Sequence, residues 1–203
     1  LAASVMSAPA ALMVAKIIYP ETKALKTINS NKISLKSNDN NIVDAVGRGA
    51  TEGLKLAANV AAMLIAFISM VAMINFVLGL LGTSMQEILG LLFKPLAWTM
   101  GIPWKDAEIV GTLMGEKIVL TELIAFRDLS DYVTKNILSE RSIIITSYAL
   151  CGFANFGSIG IQLGGIGSMA PERKKDLSSI VFKAMLGGAI ASWLTASIVG
   201  III

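Results

Sequence analysis

The apolar stretch 107–126 carries Glu116, Lys117 and Glu122. Downstream, residues 143–169 carry no charge but contain Cys151-Gly152-Phe153-Ala154-Asn155-Phe156-Gly157-Ser158. Ionisable and amide groups at bilayer depth are costly and face a cavity or a substrate rather than lipid. Glycines clustered beside them point to broken helices, whose freed backbone groups coordinate ligands. Together these features have the character of a transporter core.

Glu122 is flanked by Leu120, Thr121, Leu123 and Ile124. A carboxylate in such surroundings needs a partner or a polar ligand. Two readings follow. In the first, Glu122 accepts hydrogen bonds from a hydroxyl-rich substrate, or binds a coupling proton or cation. In the second, it pairs with Lys117 and only stabilises a hairpin. The five-residue separation is not the three or four favoured for helical pairs, which argues for the first. Glu116 and Lys117 themselves read as solvated charges at a hairpin tip. Asn155 and Ser158 share a face if the chain is locally helical. Phe153 is placed to bound an apolar wall of the same cavity. An amide is both donor and acceptor, which suits a sugar hydroxyl. Asn and Ser also tie transmembrane helices together, and that reading stays open.

The elements that must position these residues read as follows. Segment 1–19 is apolar apart from Lys16 and stops at Pro20. It approaches the roughly 20 residues needed to cross a bilayer. Residues 20–53 read as a polar loop and a glycine-containing lead-in at the interface. Residues 54–82 form a long transmembrane helix, with Ala57, Ala58, Ala61 and Ala62 suited to close packing. Residues 83–105 are too briefly apolar to span. They read as an interfacial amphipathic helix with Trp98 and Trp104 at headgroup depth. Residues 107–126 either cross once or re-enter as a helical hairpin. The mid-segment charges favour the hairpin, whereas the Lys/Arg distribution does not choose between the two. In both cases loop 20–55 is predicted cytoplasmic. Residues 143–169 read as a broken transmembrane helix, 171–176 as a basic turn, and 177–203 as a last span. The fold class is an all-α integral membrane protein.

Composition supports that class. Of 203 residues, 55% are hydrophobic and 15% charged, against about 25% charged in soluble domains. The mean hydropathy is +0.72. With no His in the sequence, histidine catalysis and His-ligated metal sites are excluded within these residues. One cysteine, Cys151, excludes an internal disulfide and a multi-cysteine metal cluster. Phosphate-cradling loops and nucleophile–base pairings do not appear, so the chain does not read as an enzyme. No metal or cofactor is expected. Basic residues gather at segment ends, which fits membrane topology rather than nucleic-acid binding. The first residue is Leu within an apolar run, and no signal-peptide pattern is visible. The sequence therefore reads as beginning partway through a transmembrane helix.

Several stretches resemble the concentrative nucleoside transporter family. Ser4-Val5-Met6-Ser7-Ala8-Pro9-Ala10-Ala11-Leu12, continuing to Tyr19-Pro20-Glu21-Thr22, resembles the end of its fifth transmembrane helix. Residues 95–104, Pro95 through Trp104, resemble its interfacial segment, and 54–82 its long sixth helix at the trimer contact. Gly115 to Phe126 resembles its second re-entrant hairpin. Cys151-Gly152-Phe153-Ala154-Asn155, with Gly164-Gly165-Ile166-Gly167 and Ala170-Pro171-Glu172-Arg173, resembles its seventh helix and the turn after it. The resemblance covers nearly the whole chain and matches the family's carboxy-terminal half. It implies a homotrimeric, multi-pass nucleoside importer of the cell membrane, coupled to sodium or protons and working by an elevator-like motion. It places Glu122, Asn155 and Ser158 at ribose-contacting positions, with Phe153 lining the site. Thr121-Glu122-Leu123 stands where the family usually has Asn-Glu-Phe, so Thr121 keeps a polar side chain but loses the amide. Most nucleobase contacts and the sodium site belong, by resemblance, to an amino-terminal half outside these residues. The alternative function is a channel or pore subunit in which Glu122 lines an ion path.

Overall fold

A computed structural model describes residues 1–20 and 41–203. Most of the polar loop read over 20–53, and with it the cytoplasmic placement of that loop, lies outside the described residues. All regular structure among the described residues is helical.

Helix α1 spans Ala2–Ile18. Helix α2, Ile42–Gly79, has 38 residues and starts at Asn41, whose side chain accepts from the Asp44 N–H at 2.8 Å. At 1.5 Å per residue it is about 57 Å long, well beyond a hydrocarbon core, so it must tilt or protrude. The expected lead-in over 42–53 is thus the first three turns of this helix. Gly47, Gly49 and Gly53 are tolerated because no described residue packs against them, and Arg48 pairs with Glu52 one turn on at 3.2 Å. Val71 is the one buried residue of α2 among those described. Beyond its charged first turns much of the helix is exposed apolar surface, while Met63 and Phe67 pack on Gly160.

Asn75 fastens the end of α2 to helix α3, Met85–Thr99. Its amide donates to Gln86 and its carbonyl accepts from the Met85 N–H, both at 2.9 Å. Ser84 and Glu87 close a reciprocal cap at the start of α3. Helix α4, Ala107–Val119, then returns antiparallel against α3. Glycines make that contact close. A Cβ on Gly111 would sit 2.5 Å from the Gly90 carbonyl oxygen, and one on Gly115 2.7 Å from that of Gln86. On the outer side Lys94 bonds Glu108 at 2.6 Å and lies over the Trp104 ring, which packs edge-on to Trp98.

Helix α5, Glu122–Thr134, completes a helical hairpin with α4. The chain reverses at Leu120–Thr121, not at Gly115-Glu116-Lys117, and the second arm runs on to Thr134 rather than closing at Phe126. The tip expected from the charges is therefore corrected. Gly115 lets α4 lie on the α3 backbone without a break, and Lys117 finds a buried acceptor, so neither charge has to reach a solvated turn. Asn136, in the left-handed region at φ 51°, ends α5. Its N–H bonds Val133 and that of Ile137 bonds Tyr132, which satisfies the last carbonyls.

Helix α6, Glu140–Leu150, breaks at Cys151. Helix α7, Phe156–Met169, continues after residues 151–155. A short 3₁₀ turn, Pro171–Arg173, leads into helix α8, Lys174–Ile202. Among the described residues, two helices are long and apolar enough to cross a membrane: Ile42–Gly79, and α8 taken with its 3₁₀ turn. Helices α6 and α7, of 11 and 14 residues, are each too short to span alone. The core gathers Met100, Ile102, Val110, Leu113, Met114, Leu129, Ile145 and Leu150 from α3 to α6 and the α3–α4 connection. One end of this core is knotted by Asp106 and Arg141. Asp106 accepts from the hydroxyls of Ser142 at 2.6 Å and Ser139 at 2.7 Å. Arg141 donates to the carbonyls of Gly101 at 2.9 Å and Gly200 at 2.6 Å, tying α6 to the end of α8.

Candidate functional site

Four helix ends meet where the hairpin turns and where the sixth and seventh helices part. Thr121 is the N-cap residue of α5 but makes no side-chain cap bond, leaving the first N–H groups of that helix open. Glu122 follows at the first helical position, where the positive end of the helix dipole favours a carboxylate. Asn155 is the N-cap of α7. Its Oδ1 accepts from the Ser158 N–H at 2.7 Å, while the Ser158 hydroxyl accepts from the Asn155 N–H at 3.2 Å. The Ser158 hydroxyl also donates to the Asn155 carbonyl at 2.6 Å. Asn155 is therefore extended rather than helical, at φ −144°, and the two residues form a reciprocal cap instead of two points on one helical face. With Oδ1 so engaged, the Asn155 amide is aimed outward, and its Nδ2 donates to Glu122 Oε2 at 3.2 Å.

The residues singled out in the sequence fall into two groups. Glu122, Asn155 and Ser158 are brought together by these bonds, with Asn155 and Ser158 almost fully buried. Thr121 adjoins them, half-buried at the hairpin turn. Phe153, 73% exposed, instead lines a cavity of about 250 Å³ on the α1–α8 side, whose lining includes neither Glu122, Asn155 nor Thr121. Ser158 and Cys151 line that cavity, as do Gln162, Ser7 and Ser192, none of which stands out in the sequence. Polar residues on helix faces are too common to single out. Only the convergence of three elements on one space distinguishes these.

Gly152 makes the break possible. Its φ is +131°, outside the range of ordinary side chains, and a Cβ there would meet the Ser192 hydroxyl at 3.0 Å. Lys117 is a correction as well as an addition. Expected at a solvated tip, it is 0% exposed and donates to the Ala149 carbonyl at 2.9 Å, near the broken end of α6. Glu116 lies instead against α5, facing Asp128 and Arg127. A carboxylate, an amide and the open N-terminus of α5 around one junction can take hydroxyl groups as both donors and acceptors.

Fold and junction together define an integral membrane protein of helical hairpins and broken helices, built as transporter cores are. The chain belongs to the sodium-dependent nucleoside transporter family. The family model described as Na+ dependent nucleoside transporter C-terminus matches residues 1–200. The chain is 41% identical to the uncharacterized transporter YutK of Bacillus subtilis, over 100% of this chain and 52% of that protein. It is also 41% identical to sodium/nucleoside cotransporter 1 of Mus musculus, over 100% of this chain and 34% of that protein. It thus spans about half or less of the curated relatives it matches. These relatives are transporters, not enzymes. Among solved structures, a doubly substituted CNTnw in an outward-facing state matches with a TM-score of 0.87 at 38% identity, covering 99% of this chain and 50% of that one. CNTnw in an inward-facing substrate-bound state matches at 0.73 and 39% identity, covering 98% and 49%.

Proposed function

We propose that this chain is the carboxy-terminal half of a sodium-coupled nucleoside symporter and supplies the ribose-binding groups of its site. The observation that carries this reading is the Asn155–Glu122 hydrogen bond at the junction of the hairpin turn and the helix break. A ribose diol presents adjacent hydroxyls, each able to donate and accept. Glu122 retains lone pairs for the donated protons, and Asn155 retains a second Nδ2 hydrogen for a hydroxyl oxygen. Ser158 acts first by fixing Asn155 and keeps one lone pair for a ligand. Thr121 stands beside Glu122 at the hairpin turn, and Phe153 stands beside Asn155 at the break. A hydroxyl-gripping site of this kind is indifferent to the base, whose contacts fall to the amino-terminal half.

Sodium is favoured over protons because the relatives carry sodium in their names. The coupling-ion site belongs mainly with that other half. The exposed apolar length of α2 suits a homotrimer contact in a multi-pass protein of the cell membrane.

The test is radiolabelled uridine uptake by cells expressing the full-length parent, with and without a sodium gradient, beside Glu122→Gln. Saturable, sodium-dependent uptake is expected, falling by about tenfold or more in the variant at unchanged membrane insertion. Unsaturable conductance without nucleoside dependence would support the channel reading instead. Uptake that follows a proton gradient and ignores sodium would replace the coupling ion.

A further inference from the structure

Lys117 is the bulkiest fully buried side chain among the described residues. A buried ammonium is costly unless it is paired and hydrogen-bonded, and an apolar chain of the same size would fill the space without that cost. Its surroundings indicate what the charge does. On α6, Nζ donates to the carbonyl of Ala149, the penultimate residue of a helix that stops at the break. The last carbonyls of a helix have no donors of their own, and they carry its negative partial charge. The chain turns three residues on, at Leu120–Thr121, so Glu122 heads the other arm of the same hairpin tip, within electrostatic reach of the ammonium. Glu122 is in turn bonded to Asn155 at the start of α7. One side chain therefore connects the hairpin, the broken end of α6 and the carboxylate of the candidate site.

We propose that Lys117 is a positioning residue for Glu122, its buried ammonium pinning the tip of the hairpin to the broken end of α6. It thereby fixes where Glu122, just past the hairpin turn, stands beside Asn155. The proposal rests on Glu122 as the ribose-binding group.

The experiment uses the purified full-length parent in proteoliposomes and in detergent, with Lys117→Met and Lys117→Ala. Met keeps the volume and removes the charge. Its uridine KM is expected to rise about tenfold, with Vmax within about threefold of the parent. Ala leaves a cavity for the missing ammonium. Replacing choline chloride by ethylammonium chloride should restore most of its affinity and raise its Tm, while leaving the parent and Lys117→Met unmoved. A parental KM in Lys117→Met would overturn the proposal, and so would a Lys117→Ala protein whose Tm ignores ethylammonium. If the parent itself takes up no uridine, the functional reading fails. The ethylammonium response of Lys117→Ala still decides the role of the charge.

Discussion

Asn155 donates to Glu122 across 33 residues of sequence, joining the cap of one half-helix to the first turn of another. The bond is possible because the Asn155 carbonyl oxygen is already committed to Ser158, which fixes the amide with its nitrogen outward. Both groups keep hydrogen-bonding capacity for a ligand. They should therefore act as one unit. In equilibrium uridine binding to the full-length parent, Glu122→Gln and Asn155→Ala should each weaken affinity by about tenfold. The double variant should be little worse than the poorer single one, a coupling of about 1–2 kcal/mol. Strictly additive losses would show that the two residues bind independently.

Gly152 is under two constraints, its dihedral and its distance to Ser192. Gly152→Ala should destabilise the protein by about 1–3 kcal/mol, seen as a lower Tm in detergent. Adding Ser192→Gly removes the contact but not the backbone strain. Recovery should therefore be partial, and complete recovery would assign the whole effect to crowding.

The glycines of α2 and α4 make opposite predictions. Gly47 sits in open space within a helix, so Gly47→Ala should be neutral or stabilising by about 0.5–1 kcal/mol. Gly111 lies on the α3 backbone at Gly90, so Gly111→Ala should cost about 1–3 kcal/mol through overpacking. Thermal denaturation of both variants side by side checks the close contact between α3 and α4.

Asp106 gives a pH dependence. Burial pushes its carboxyl up, but the Ser142 and Ser139 hydroxyls, the Ser139 N–H and the Lys105 charge outweigh that and hold it below its ordinary 3.8. A lowered folded-state value means the carboxylate stabilises the fold above about pH 4, and that contribution is lost as pH falls through the depressed value. Asp106→Ala leaves the two serines without their acceptor. It should lower Tm at pH 7 and flatten the acid limb of the Tm–pH curve relative to the parent. An unchanged acid limb would mean that other carboxylates govern it.

Much of this architecture is legible in the residues. Gly152 and Gly157 around Asn155 announce a break because glycine and a capping amide are what a helix interruption requires. The apolar length of 54–82 declares a span. The hairpin turn was misplaced because sequence reading puts charges at solvated ends, and Lys117 instead found the Ala149 carbonyl 32 residues away. The start of α2 was missed for a related reason. Three glycines within seven residues look like a loop until it is seen that no described neighbour crowds them and that Arg48 and Glu52 support the turn.

The sequence by itself determined the class of protein, the identity of the polar residues and the place of the helix break. Hydrophobic composition, capping chemistry and glycine conformation are local properties that a linear reading can follow. Only the tertiary structure decided that Ser158 locks Asn155, that Asn155 meets Glu122, and that Lys117 is buried beneath the junction. Each of those depends on which distant backbone oxygen or amide an unsatisfied polar group meets when the helices pack, and spacing along the chain does not encode that meeting.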